Sequence, residues 1–322
     1  MEIVLRDTRS LWSHPDRGRF DPATLRAIRA FFDNGGDQVH AFGVCVESMD
    51  DLKSSVDLVP VLEPLLYRLR GEEDIALLLA PAAAYMHCSW NEEGDLVADV
   101  EPLYQALLAH CREMNSRFLV MDSPVGLHGA PLVRWVSDFR ARVRDHSSYG
   151  ALYYPWFRAG DDLLPPSGVM VGLYARIELE RGVFGVVWPP ANLPLVQVTG
   201  LEVELSLEEA GQLLEHRINP LVILPGRGAV AYGARTLSDE QGFDQINSRR
   251  IVNLVAEQLR RDNEWAVFEI HTPALWDILR RDVSFRLDEF WSAGLLSGET
   301  SGEQYTVKCD SENNPPALRD VG

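Results

Sequence analysis

Asp122, His128 and Ser167 stand in an order that one class of hydrolytic triad uses. A carboxylate that orients an imidazole, which in turn activates a hydroxyl, is the machinery of acyl transfer. The spacing argues against that use. His128 falls in the same short loop as Asp122, and Ser167 follows Pro165-Pro166 instead of sitting in a Gly-x-Ser-x-Gly elbow. The plainer reading gives Asp122 a capping role in a turn or helix, leaves His128 on an exposed loop, and makes Ser167 the N-cap of the next helix.

Other residues with chemical potential receive the same weighing. His87-Cys88 and His110-Cys111 offer donors of the zinc type. Adjacent residues point in different directions on a helix or strand, so neither dipeptide chelates, and no pair has ligand spacing. The four cysteines, Cys45, Cys88, Cys111 and Cys309, are scattered and read as free thiols. Neither a metal nor another cofactor is expected, and no glycine-rich phosphate loop follows any apolar run. Arg227, between Gly226 and Gly228, reads as the exposed residue of a hairpin turn. Trp188 before Pro189-Pro190 reads as an aromatic anchor for an extended segment. The doublets Arg249-Arg250, Arg260-Arg261 and Arg280-Arg281 stand out in so acidic a chain; they read as solvated helix faces or as contacts to an acidic partner surface.

These residues need elements to place them. Hydrophobic residues make up 46% of the 322 positions and charged residues 24%, the balance of a folded chain. A net charge of −18 with no basic cluster argues against nucleic acid and against anionic membrane surfaces. No apolar run approaches the roughly 18–20 residues that span a bilayer, and the N-terminus lacks a signal-peptide core. Cytoplasmic production is the expectation. Residues 1–20 show no periodicity. Helices are expected over 22–33, capped by Asp21, and over 61–69, 100–114, 132–143 and 165–177. Strands are expected at 39–46, 75–79, 117–121 and 150–154. Short apolar strands alternating with amphipathic helices predict a mostly parallel sheet with flanking helices, an α/β fold. From Gly182 the pattern changes: an extended stretch to Asn192, a strand at 201–205, and Ser206 with Glu209 as a capping box. A hairpin follows at 221–232, then helices over 245–261 and 273–293 with a strand at 266–270 between them, and a last strand at 305–309.

In this second half PPSGVMVGLYAR (165–176), WPPAN (188–192), PGRGAVAYGARTL (225–237), Asn247 with Arg249-Arg250, VFE (267–269) with Leu275-Trp276, and VKCDSENNPP (307–316) occur in sequence. In type, order and spacing this set resembles the C-terminal region of contractile tail sheath proteins. FFDNGG (31–36) and FLVMDSPVG (118–126) extend the resemblance, more loosely, to about residue 20. The resemblance implies a subtilisin-like α/β sheath domain over 1–198, in which 1–20 is a shortened N-terminal segment. It implies a smaller α+β C-terminal sheath domain over 199–322.

The resemblance also implies a role. Sheath subunits stack as hexameric rings around an inner tube and contract to drive it through a target envelope. Implied partners are further copies of the chain, the tube protein, sheath paralogues and a baseplate, within a phage tail or phage-tail-like particle. Family members carry terminal arms that add a strand to a neighbour's sheet. The arm motif is missing after Met1, and the chain runs only from Pro316 to Gly322 after the NPP segment, so the expectation is either a shortened sheath paralogue or a trimmed sequence. That departure raises a second expectation, a short sheath-like adaptor at the baseplate or cap. Interface roles are expected for Arg249, Arg250, Arg280, Arg281, Tyr305 and Val307, and for the terminal segments 1–20 and 304–322. Catalysis is not expected, and the serine hydrolase reading of Asp122, His128 and Ser167 stands only as the remote alternative.

Overall fold

Two five-residue runs, Phe118–Asp122 and Gly150–Tyr154, are buried along their whole length, which requires cover on both faces of the sheet they form. The computed structural model describes residues 2–43, 58–86, 88–90, 96–98, 100–160, 162–297 and 305–315. In chain order these form β1 (Glu2–Leu5), α1 (Thr8–Ser13), α2 (Pro22–Asp33), β2 (Val39–Phe42), α3 (Leu58–Leu69), β3 (Leu77–Leu78), β4 (Cys88–Trp90) and β5 (Leu96–Ala98). Next come α4 (Glu101–Met114), β6 (Phe118–Asp122), α5 (Gly129–Arg142), β7 (Gly150–Tyr154), β8 (Phe157–Ala159), β9 (Asp162–Leu164) and α6 (Ser167–Arg181). The chain continues through β10 (Gly200–Leu201), α7 (Leu207–Glu215), β11 (Ile218–Leu224), β12 (Gly228–Ala231), α8 (Ile246–Asp262) and α9 (Pro273–Ser292). It divides into two compact units, Met1–Arg250 and Ile251–Gly322, with the division inside α8.

The first unit is a mixed α/β layer structure. Among the described residues its main sheet has the order β12-β11-β7-β6-β3. β3, β6, β7 and β11 run parallel, and β12 returns antiparallel to β11. The sheet therefore takes strands from both sides of residue 198. Alternate side chains of β6 and β7 go to opposite faces. Leu119, Met121, Leu152 and Tyr154 pack with Leu103, Leu107 and Leu108 of α4 and Trp135, Val136 and Phe139 of α5. Phe118, Val120, Ala151 and Tyr153 pack with Ala30 and Phe31 of α2 and with α6.

α2 and α6 lie close because of two glycines. A β-carbon on Gly168 would stand 2.6 Å from the Ala27 carbonyl oxygen, and one on Gly172 would stand 2.5 Å from that of Phe31. The glycines of PPSGVMVG are thus a packing requirement. The outer edge of β12 is covered by 192–195: the Asn192 N–H donates to the Ala231 carbonyl at 2.8 Å, and the Leu195 N–H to Ala229 at 2.9 Å. A proline-bearing segment on an edge closes it to further pairing.

Several expectations are corrected. Residues 1–20 hold β1, which pairs with β2, and α1, which has a capping box of Asp7 and Ser10. Residues 183–187 form a 3-10 turn instead of an extended stretch, and the strand expected at 201–205 shrinks to Gly200–Leu201. The stretch expected as a strand at 266–270 begins in a 3-10 turn, Glu264–Phe268, and 305–309 has no strand pairing among the described residues. Apolar β-branched and aromatic composition favours a strand only where a neighbour supplies a ladder. β2 ends at Phe42, and the remainder of the strand expected to Val46 lies outside the described residues, as do Cys45 and His87.

In the second unit, α9 starts at the N-cap Thr272, whose side chain accepts from the Leu275 N–H. The Tyr305 hydroxyl donates to the Ser284 carbonyl at 3.1 Å and meets the Asp288 carboxylate, which ties 305 to the side of α9.

Candidate functional site

The hydrolase arrangement is not assembled. Asp122 and Ser167 do meet: β6 ends at the first turn of α6, and the Ser167 N–H donates to Asp122 Oδ1 at 2.6 Å. Pro166 holds the N-cap position, so Ser167 is the first residue inside the helix. The backbone of Asp122 is held by Tyr104, whose hydroxyl donates to its carbonyl at 3.1 Å. His128 is elsewhere. Its Nδ1 faces the Tyr154 hydroxyl at 3.2 Å, and its Nε2 lies 3.5 Å from Glu202. Without an imidazole between them, a buried carboxyl and a buried serine have no means of attacking an ester.

Burial governs the charge on Asp122, which is 1% exposed. It pushes the carboxyl up to about 7, against the lowering effect of the two Ser167 hydrogen-bonding groups. His110 has the opposite environment. Arg117, 1% exposed, presents one guanidinium nitrogen to His110 Nε2 at 2.6 Å and another to the Leu69 carbonyl at 2.5 Å. Burial and this cation hold the imidazole neutral, down to about 4. Arg117 thereby closes the carboxyl end of α3, where helix carbonyls point outward. Cys111 is buried and its thiol is pushed up to about 12 by desolvation, the state of an inert core cysteine. Among the described residues no cluster of three or more His, Cys, Asp or Glu side chains is arranged to hold a metal ion.

The arginines separate into two groups. Arg249 and Arg250 are buried in the first unit instead of lying on a solvated face. The Arg249 guanidinium sits 4.4 Å from the Tyr149 ring centroid and 4.5 Å from that of Phe243. Arg250 pairs with Glu178 and lies 5.0 Å from the Tyr174 ring. Arg227 is likewise engaged, donating to the side-chain and backbone oxygens of Asn192 and so fixing the PAN loop to the hairpin. Sequence reasoning missed this pair, although the separate Gly-Arg-Gly and PAN motifs were both visible. Arg280 and Arg281 stay at the surface of α9, paired locally with Asp277 at 2.5 Å and Asp282 at 3.2 Å. Tyr305 and Val307 are half-buried.

The largest unexplained feature is apolar. In the second unit Phe268 is 97% exposed, Ile270 81%, Val267 71% and Phe285 65%. Such a group of large side chains in water marks a contact surface. Among the described residues no helix is long and apolar enough to cross a membrane.

No protein-family model matches the chain. Two curated relatives do: the tail sheath protein of Enterobacteria phage T4, 27% identical over 127 residues, and that of Vibrio phage KVP40, 27% identical over 135. These stretches are 39% and 41% of the chain but 18% and 19% of the relatives' lengths. Among solved structures, the anti-feeding prophage baseplate, 6-fold symmetrised, matches with a TM-score of 0.70 and 24% identity. That match covers 95% of the chain and 77% of its counterpart. The anti-feeding prophage helical sheath in the contracted state gives 0.69 and 22% identity over 98% of the chain and 81% of its counterpart. At these identities the likeness is one of fold.

Proposed function

We propose, from its similarity to tail sheath proteins, that the chain is a structural subunit of a contractile sheath in a phage tail or phage-tail-like injection system. The observation that carries this reading is fold likeness to a contracted sheath over nearly the whole chain. Copies would stack as hexameric rings around an inner tube and pass from an extended lattice to a shorter, wider one. Such a machine needs two packings of one surface that differ in free energy, and it needs no catalytic group or cofactor.

The exposed run Val267, Phe268 and Ile270 supports the reading at the level of side chains. An apolar surface of a neighbouring copy laid against 267–270 would cover these residues. Arg280, Arg281, Tyr305 and Val307 are the accompanying contact residues, with Arg281 the most open of the charged ones. Arg249 and Arg250 would act indirectly, by holding the 233–245 loop and α6. Residues 1–198 would form the subtilisin-like sheath domain and 199–322 the C-terminal sheath domain, with the main sheet of the first completed by β11 and β12 of the second.

The second reading is a sheath-like adaptor at the baseplate or cap, and likeness to the anti-feeding prophage baseplate favours it. Negative-stain microscopy of the chain, alone and co-produced with its tube protein, tests both. Long striated cylinders are the expected result. Monomers or isolated rings under both conditions overturn the sheath reading and leave the adaptor.

A further inference from the structure

We propose that residues 192–196 are a built terminator of the main sheet, which keeps the β12 edge from pairing with a strand of a second copy of the chain. An edge strand presents N–H and C=O groups that accept any strand offered to them. In an antiparallel ladder these groups alternate in direction along the strand. The Tyr232 N–H donates back to the Pro220 carbonyl of β11 at 2.8 Å, and Val230, two residues earlier, faces the same way. Ala229 and Ala231 therefore face outward. Their carbonyls accept from Leu195 and Asn192, and Pro194 stands opposite Val230 in an antiparallel bridge.

This strap becomes the new edge, so the groups it turns outward decide whether the sheet can grow. Leu195 gives its N–H to β12, and its neighbours Pro194 and Val196 point the other way. Pro194 has no N–H, and its carbonyl accepts from the Arg176 guanidinium of α6 at 2.7 Å. The Val196 N–H donates to Asn34 Oδ1 at 2.8 Å, and its carbonyl accepts from Asn34 Nδ2 at 3.1 Å. Asn34, the C-cap of α2, is 1% exposed, and its Nδ2 also donates to the Ala30 carbonyl at 3.0 Å. Left-handed backbone at Asn192 (φ 62°) and Gln197 (φ 61°) turns the chain at both ends of the strap. Arg227 holds the Asn192 end from the hairpin. A strand arriving at this edge meets no open donor or acceptor at 194 or 196. Three side chains from separate elements, Asn34, Arg176 and Arg227, thus direct contacts between copies to other parts of the surface.

The test loosens the strap and leaves the core in place. Arg176→Met keeps the aliphatic stem that lies over Gly35 and removes the donor to Pro194, while Arg227→Ala removes the hold on Asn192. Both changes are made in the full chain carrying Phe268→Glu, which takes contact through 267–270 out of the result and makes the outcome independent of the sheath reading. Hydrogen exchange and sedimentation velocity over a range of protein concentrations are compared with Phe268→Glu alone. The expected result is exchange in 192–196 faster by about tenfold or more at low concentration. It is accompanied by association that grows with concentration, with 228–231 still protected in the associated species. Unchanged exchange in 192–196 overturns the proposal, and so does a released strap in a chain that stays monomeric. If that variant does not fold, Pro194→Ala with Arg227→Ala, two exposed positions, is read by the same two measurements against the same outcomes.

Discussion

Arg117 shows what one side chain does when its surroundings decide its role. It is a cation at 1% exposure whose hydrogen bonds go to the carbonyls of Leu69 and Glu72 and to a neutral imidazole. Replacing Arg117 with Met strands those carbonyls, each at about 1–3 kcal/mol, so a loss of about 3 kcal/mol is expected in denaturant unfolding. The folded-state value of His110 lies below the ordinary 6.5, at about 4, so the stability it supports is present above 6.5 and is lost as pH falls toward 4. The expected outcome is an acid-side loss of stability in wild type that is smaller in His110→Gln, read by urea titration across that interval. Neither role was legible in the sequence: a His-Cys dipeptide reads as a weak metal signal, and only burial shows that it is the arginine seven residues on that meets the ring.

At the scale of elements, caps and glycines carry the specificity. Ser206 and Glu209 form the capping box that the sequence spells out, with the Glu209 N–H donating to Ser206 Oγ at 3.2 Å. Ser206→Ala should lower stability by about 1 kcal/mol, measured by thermal or denaturant unfolding. The contact of α6 with α2 is less forgiving. Gly172→Leu would drive carbons into the Phe31 backbone, and a loss of about 1–3 kcal/mol or failure to fold is expected, seen as lost near-ultraviolet dichroism. Helix positions were legible because apolar period and cap chemistry are local. α2 has the expected bounds, although its buried face is Ala23, Ala27, Ile28, Ala30 and Phe31, with Leu25 and Phe32 only partly covered. β8 and β9 passed unnoticed, and β10 is what is left of the strand expected at 201–205, since strands of two or three residues leave no period to read.

At the scale of the whole molecule the question is assembly. Phe268 is nearly free of protein contact, so Phe268→Glu should leave folding within about 0.5 kcal/mol of wild type, the usual effect of a surface change. The same change should abolish cylinders under the microscope, because a charge placed in an apolar contact opposes closure. Assembly of the variant at wild-type efficiency would show that 266–270 lies outside the lattice contacts. The sequence by itself determined the alternation of apolar strands and amphipathic helices, the caps, and the set of motifs that resembles those of sheath proteins. Those signals are short-range, set by side-chain period and backbone preference within a few residues. Only the tertiary structure decided that Arg249 and Arg250 turn inward, that Arg227 grips Asn192, that Asp122 meets Ser167 without His128, and that 266–270 does not pair among the described residues. Each of these depends on partners distant in sequence. Burial and distance, which set the energy of a charge or an unpaired strand, exist only once the chain has folded.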